Sequence, residues 1–407
     1  MSDRPIRVCH LGKYYPPYLG GIELHTQTLA RTQVEMGLDV RVIVVNHSDS
    51  GRPARGRPAA TPTVEEEDEG VALTRIGRRA GVPGFDLCPG LVRLLRREQE
   101  QGTDIFHMQG PNPTMMLALA KLKPNRARVV ITHQGDIVRQ KVTGAMIRPI
   151  ERAVYGHAAK VIATSPLYAE ASALLRRNAD RVVVVPMGND LRPFADPGAE
   201  ALEHAASFRA KYGSEGPIWL GVGRLIYYKG FHVAIRALTK VPGRLVLVGV
   251  GPLEGQLRQQ AEELGVADRV TFHGRAFGDV LVGLYHASTA FWFPSCGRAE
   301  GFGLVQVEAM ACGKPVLNTF LPASGVSWVS KHEESGLTVP IEDADALAVA
   351  ANRLLDEPGL IDRLGAQGRE RALREFDHRV MSRRVIEVYE SALGRASAPE
   401  PVAVLPN

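Results

Sequence analysis

Arg224 and Lys229 stand five residues apart, just after the short apolar run Ile218–Val222, within Gly223-Arg224-Leu225 and Lys229-Gly230. Arginine offers a planar fork of donors and lysine a compact point charge, so together they can hold two phosphates from one loop. Taken singly, each reads as an ordinary surface cation. Their shared place at the carboxyl end of a strand, where open α/β sheets bind ligands, favours a functional role.

A second constellation lies in Pro294–Lys314, PSCGRAEGFGLVQVEAMACGK. A strand delivers Gly301-Phe302-Gly303, a helix starts near Leu304, Glu300 precedes it and Glu308 lies inside it. Eight residues at ~1.5 Å rise separate the carboxylates by on the order of 10 Å. That exceeds the ~5 Å of a retaining-glycosidase pair. It suits one carboxylate on a sugar and the other on a ribose, with a diphosphate between them at the helix N-terminus. Outside that context Glu308 reads as a solvated helix-face residue.

Weaker signals lie elsewhere. Gly20-Gly21 opens a helix after the first strand and would let a phosphate approach the backbone, although an isolated Gly-Gly is more often a turn. His133-Gln134-Gly135-Asp136 ends the run Arg128–Thr132, where a histidine can donate to substrate or serve as a base; a satisfied loop histidine is the plainer alternative. His10, His25, His107 and His273 are taken as structural. Asp343-Ala344-Asp345 matches a DxD metal motif on paper, but its place before an Ala/Leu helical period makes it a helix N-cap.

These residues must be positioned by alternating strands and helices. Strands are expected at Ile6–Leu11, Val40–Val45, Val71–Ile76, Asp104–Met108, Arg128–Thr132, Lys160–Thr164 and Arg181–Val185. A second series runs through Ile218–Val222, Arg244–Val248, Arg269–Phe272, Ala290–Phe293, Pro315–Asn318 and Gly336–Val339. Helical patterns fall at Gly21–Met36, Phe231–Thr239, Pro252–Leu264 and Leu304–Ala311. Strands this apolar, alternating with helices, imply parallel sheets buried on both faces. The series is too long for one sheet, so two doubly wound domains are expected, 1–190 and 191–376, with a seam at Gly188–Gly216. Ser48–Thr63 reads as a surface loop, Glu65–Glu69 as a solvated edge, and 395–407 as a frayed tail.

With 407 residues the chain exceeds one ordinary core, and 45% hydrophobic with 23% charged residues is a globular composition. The net charge of +5 suits phosphate-bearing ligands or an anionic membrane face without demanding either. The low aromatic content offers no base-stacking surface, and nucleic acid is not expected as a partner. Cys9, Cys88, Cys296 and Cys312 lie far apart, without CxxC or a Cys/His cluster. This argues against a disulfide framework or a zinc site and for a reducing, cytoplasmic compartment. No signal peptide or membrane-spanning run is read. Leu91, Leu94 and Leu95 beside Arg93, Arg96 and Arg97 suggest a membrane-facing helix, with core packing beneath solvated arginines an equal alternative.

Taken together, the Gly20-Gly21 loop, His133 with Gly135-Asp136, Ser165 in TSP, GRL-x3-KG at Gly223–Gly230, the GxGP turn at Gly249–Pro252 and the E-x7-E pair resemble glycosyltransferase family 4. The resemblance covers nearly the whole chain. It implies a GT-B fold, two Rossmann-like domains facing across a cleft, with a last helix at about 377–394 returning to the first domain. It further implies that Arg224 and Lys229 contact the diphosphate of a nucleotide-sugar donor and Glu308 the ribose. Glu300 and the backbone of Gly301, Phe302, Gly303 and Leu304 would contact the sugar. Gly20 and Gly21 would serve the distal phosphate; Val250, Gly251, Gly274 and Arg275 would flank the base. His133 would contact the sugar near the reaction centre, and Asp136 and Ser165 would lie on the acceptor side. Family 4 enzymes retain anomeric configuration and need no catalytic metal or cofactor. Where the family often has Gly-Asp-Gly-Pro this chain has Gly249-Val250-Gly251-Pro252, so no role passes to an aspartate there.

The segments ITHQGDIVRQK and GRLIYYKG look most like bacterial mannosyltransferases of polysaccharide assembly. GDP-mannose is therefore favoured, with a UDP-hexose as runner-up and a saccharide or lipid-linked saccharide as acceptor. A nucleotide-sugar 2-epimerase of the same fold is disfavoured by the paired motifs. A binding subunit without activity is disfavoured by the intact Arg224, Lys229, Glu300, Glu308 and His133. A nicotinamide dehydrogenase would need GxGxxG after the first strand.

Overall fold

The computed structural model describes residues 4–18, 20–47, 60–82, 85–135, 141–213, 216–297 and 299–395. The chain divides into two compact units, one running to Met187 and resuming at His378, the other Gly188–Asp377.

The first unit is built on β1 (Arg7–Leu11), β2 (Asp39–Val45), β3 (Val64–Asp68), β4 (Val71–Ile76), β5 (Ala80–Val82), β6 (Phe85–Leu87), β7 (Ile105–Gly110), β8 (Arg128–His133), β9 (Lys160–Ala163) and β10 (Val182–Val184). Its main sheet has the order β10-β9-β8-β7-β1-β2-β4-β3. Only β3 is antiparallel to its neighbour, and β5 and β6 form a separate hairpin. Each parallel strand is short and apolar because helices cover both of its faces. The acidic run forms the solvated edge expected of it, as a strand: β3 is exposed except at Asp68, whose carboxylate takes hydrogen bonds from Tyr15, Gln27 and Arg31.

Helix His378–Ala392 completes this unit. Met381, Val385, Val388 and Tyr389 bury themselves against Ile6, Val8, Leu29, Ile105 and Val130. The Tyr389 hydroxyl lies 2.6 Å from His107 Nδ1 and accepts from Gln33 Nε2 at 3.2 Å.

The second unit contains β11 (Ile218–Val222), β12 (Arg244–Val248), β13 (Val270–Gly274), β14 (Ala290–Phe293), β15 (Val316–Thr319) and β16 (Gly336–Val339). All six are parallel, in the order β13-β12-β11-β14-β15-β16. This doubly wound order reverses between β11 and β14, which makes the carboxyl ends of those two strands a natural ligand site. Trp219 of β11 and Trp292 of β14 stack at 5.2 Å and anchor the pair in the core.

Some segments differ from expectation. Gly188–Gly216 contributes helices Arg192–Ala195 and Ala199–Tyr212 to the second unit and is more than a seam. In helix Leu91–Glu100, Leu91 and Leu95 are core residues and Leu94 packs against them, whereas Arg93, Arg96 and Arg97 are exposed. Its leucines are committed to the core, which removes the apolar half of the membrane-facing reading. Ser48–Thr63, apart from its last four residues, and the tail beyond Arg395 lie outside the described residues. Among the described residues, no helix is long and apolar enough to cross a membrane.

Candidate active site

The chain leaves β11 through Gly223, and its next residues are held by the neighbouring strand ends. Leu225 donates its N–H to the Val250 carbonyl at 3.1 Å, and Leu253 donates to the Leu225 carbonyl at 3.1 Å. At Gly249, φ is +136° and any Cβ would strike the Gly223 carbonyl, so only glycine lets the loops after β11 and β12 touch. Val250 is thereby left partly exposed beside the Arg224 loop. Arg275, just after Gly274 at the end of β13, is also exposed.

The two cations differ in their surroundings. Arg224 is exposed and steadied by Tyr228, whose hydroxyl accepts from Nη2 at 3.4 Å. Lys229 closes a single 3-10 turn, Tyr227–Lys229, and its Nζ donates to Glu300 Oε2 at 2.5 Å. Both side chains of that pair are largely buried, at 12% and 10% exposure. The ammonium also lies 5.1 Å from the centre of the Phe293 ring. Ser295 adds a hydrogen bond to the same carboxylate oxygen at 3.2 Å. Glu300 Oε1 accepts no hydrogen bond among the described residues. A cation and a carboxylate, 71 residues apart in sequence, thus form one unit at the point where the sheet reverses.

Gly303 joins this loop to helix Leu304–Ala311. Its φ is +80°, and a Cβ there would come within 2.6 Å of Phe293 Cζ, so glycine is required by conformation and by space. Phe302 is buried against Phe376.

Glu308, one turn further along the helix, has both oxygens engaged. Oε1 accepts from Asn189 Nδ2 at 2.9 Å and Oε2 from the Tyr285 hydroxyl at 2.9 Å. Burial pushes its carboxyl up to about 7, opposed by these two hydrogen bonds. The solvated helix-face alternative does not hold.

The first unit presents a different picture. Gly20 precedes helix Gly21–Glu35, and its missing Cβ makes room for the Glu23 carboxylate folding back in the first turn. A Cβ at Gly21 would meet nothing within 4 Å, so the backbone there is open. His133, the last residue of β8, is fully buried. Its Nδ1 lies 2.7 Å from the Tyr155 hydroxyl, its Nε2 lies 3.4 Å from the Tyr168 hydroxyl, and the Tyr168 ring stacks on it. Ser165 is a helix cap: its hydroxyl accepts from Tyr168 N–H at 3.2 Å and is buried. Its hydroxyl thus caps the helix that carries the tyrosine beside His133. Asp136 lies outside the described residues.

Asp343 accepts the Ala346 N–H at 2.8 Å, capping helix Ala344–Asp356 as its position predicts, while Asp345 pairs with Lys240. Sequence reasoning missed Tyr155, Tyr168, Tyr285, Asn189 and Ser295. Ser295 stood unremarked inside the Pro294–Lys314 segment, and the other four are aromatic or small polar residues without motif context, brought in only by packing.

Residues 20–188 match a family described as glycosyl transferase 4-like domain, and residues 205–371 match one described as glycosyl transferases group 1. The chain is 31% identical over 371 residues to D-rhamnosyltransferase WbpZ of Pseudomonas aeruginosa, covering 90% of this chain and 92% of that one. This chain is a family 4 glycosyltransferase. The O-antigen chain mannosyltransferase C of Escherichia coli is 27% identical, with 92% of this chain and 96% of that protein aligned. Anabaena HepE, solved in complex with UDP-glucose, superposes with a TM-score of 0.73 at 20% identity, covering 95% of this chain and all of that one. The glycosyltransferase therefore has the GT-B fold, and its Arg224, Lys229 and Glu300 stand at the strand ends where the second sheet reverses.

Proposed function

We propose that this glycosyltransferase moves a hexose, with mannose favoured, from a nucleoside-diphosphate sugar to a saccharide or lipid-linked saccharide, retaining anomeric configuration without a catalytic metal. The observation that carries this reading is the Lys229–Glu300 pair at the switch point, with Arg224 exposed on the same loop. Lys229 has three donors and spends one on Glu300, which leaves two for phosphate oxygens. Arg224, Lys229 and the N-terminus of helix Leu304–Ala311 can then meet the charge that builds on a departing diphosphate. Glu300 uses Oε2 for Lys229 and Ser295, so Oε1 can receive a sugar hydroxyl.

Glu308 is proposed for the ribose hydroxyls, Val250, Gly251 and Arg275 for the base, and Gly301–Leu304 for the sugar. Gly21 and His133 keep the roles that family membership suggests, on the distal phosphate and the sugar. The mannosyltransferase relative supports mannose; HepE's UDP-glucose supports a UDP-hexose as the second reading.

Thermal-shift measurements with GDP and UDP decide the base, because a ligand of the native state raises its stability by mass action. GDP is expected to give the larger shift at equal concentration; a larger shift with UDP overturns the mannose reading alone. Proton NMR of the product should show the donor's anomeric configuration, and an inverted product overturns retention. Turnover should persist in EDTA, whereas abolition with rescue by Mg²⁺ or Mn²⁺ overturns the metal-free mechanism. If the acceptor is lipid-linked, Arg93, Arg96 and Arg97 offer a charge contact to anionic vesicles. That contact should fade with added salt.

A further inference from the structure

His232, Cys296 and Glu342 come from three separate places in the chain. His232 is the second residue of helix Phe231–Leu238, Cys296 follows β14, and Glu342 follows β16. Folding brings one potential ligand atom of each to within 4.8 Å of the others. His232 Nε2 and Glu342 Oε2 are 3.0 Å apart.

The surroundings orient the donors. The Tyr227 ring stacks on His232 at 5.0 Å and an interplanar angle of 15°, fixing the imidazole. The Tyr227 hydroxyl donates to Glu342 Oε1 at 3.0 Å, leaving Oε2 turned to the other two ligands. Metal sites hold their ligands through such outer hydrogen bonds. Cys296 Sγ lies 3.5 Å from the Tyr227 carbonyl, on the same side.

We propose that His232, Cys296 and Glu342 form a binding site for one divalent transition-metal ion of the zinc type. Nitrogen, sulfur and oxygen donors in one set suit zinc or cobalt and exclude magnesium and calcium, which take oxygen alone. Tetrahedral bonds of ~2.0–2.3 Å place ligand atoms ~3.3–3.7 Å apart. Small side-chain rotations reach that spacing from the separations seen. The Cys296 thiol loses its proton to solvent as the sulfur–metal bond forms, and water completes the fourth position. Arg236, 3.5 Å from Glu342 Oε2 and 43% exposed, has room to withdraw. The ion would tie the Tyr227–Lys229 turn to the loops after β14 and β16. It would not enter the transfer chemistry.

Titration of the EDTA-stripped, full-length protein with Co²⁺ tests this. One equivalent should produce a sulfur-to-cobalt charge-transfer band in the near ultraviolet and tetrahedral d–d bands in the visible, both bleached by Zn²⁺. Cys296→Ser should abolish the charge-transfer band, and Glu342→Gln should weaken Co²⁺ binding by about tenfold or more. Cys9, Cys88 and Cys312 are buried and give an internal control. Absence of the band in the parent protein, or its persistence in Cys296→Ser, overturns the site. If a variant fails to fold, Zn²⁺ binding to the parent by calorimetry decides: a one-to-one isotherm supports the site, and no binding removes it. Because turnover in EDTA is measured separately, failure here leaves the transferase reading intact.

Discussion

At the strand ends of the second unit, charge is matched by opposite charge and remains within reach of a ligand: Lys229 sits on Glu300, and Arg224 is exposed beside it. The first unit handles its polar groups differently. His10 and His107 are fully buried on β1 and β7, with ring centres 5.0 Å apart. His25 is buried on helix Gly21–Glu35, and neither of its ring nitrogens has a hydrogen-bond partner among the described residues. Burial pushes His10 and His25 down to about 4 and His107 well below its ordinary value, so these rings stay neutral. The strand ends of the second sheet keep an ion pair that a charged ligand can exchange; β1, β7 and the helix beside them keep uncharged rings that pack. The contrast explains why buried histidines inside the first unit and cations at the strand ends of the second do not have the same use.

The comparison breaks most sharply at Lys229. Lys229→Ala or Arg224→Ala should lower kcat/KM by on the order of 10²-fold or more, roughly 3 kcal/mol, the scale of losing one oxyanion-type donor. Lys229→Ala also leaves Glu300 without its cation, so the two residues are coupled. The double variant Lys229→Ala/Glu300→Ala should cost clearly less than the product of the single effects. Near-normal rates in both cation variants would remove the assignment of the diphosphate site.

Glu308 tests the same contrast within the second unit, because it is handled as the buried histidines are. Its carboxyl is raised from 4.5 to about 7. Below pH 4.5 folded and unfolded chains both hold the proton. Between 4.5 and 7 only the folded chain does, so stability falls as pH rises, by up to about 3 kcal/mol, and then levels. Glu308→Gln should therefore gain stability relative to the parent across that window and run parallel to it above. Urea unfolding at several pH values reads the difference, and parallel curves throughout would contradict a desolvated carboxyl. In kinetics, loss of Glu308 should mainly raise the donor KM, since a ribose contact is alike in ground and transition states.

The smallest effect is expected at Tyr155, whose hydroxyl is 2.7 Å from His133 Nδ1. Tyr155→Phe removes one buried hydrogen bond, a loss of about 1 kcal/mol or roughly fivefold in rate. If His133 serves the sugar, that loss should fall on kcat. A change confined to melting temperature would make the histidine a packed, satisfied group like His107.

Much of this was readable before folding. Parallel strands buried on both faces must be short apolar runs, so β1, β2, β4 and the six strands of the second unit stand out from periodicity alone. Glycine at the Gly249 turn and at Gly303 is also local information, because a positive φ is paid for within one residue. The short hairpin β5–β6 and edge strand β3 escaped because they bury little and carry few β-branched residues.

What sequence determined by itself was the alternation of elements, the family and the residue types at the strand ends. Tertiary structure alone decided which side chains meet. Leu91 and Leu95 turned inward because an amphipathic helix buries its apolar stripe against whatever core is nearest, and here that core is the sheet. Lys229 found Glu300, and His232, Cys296 and Glu342 converged, although each set is scattered along the chain. Spacing along a chain reports neighbours only within a few residues. Beyond that range, the order in which strands enter the sheet sets the distance, and no linear pattern encodes it.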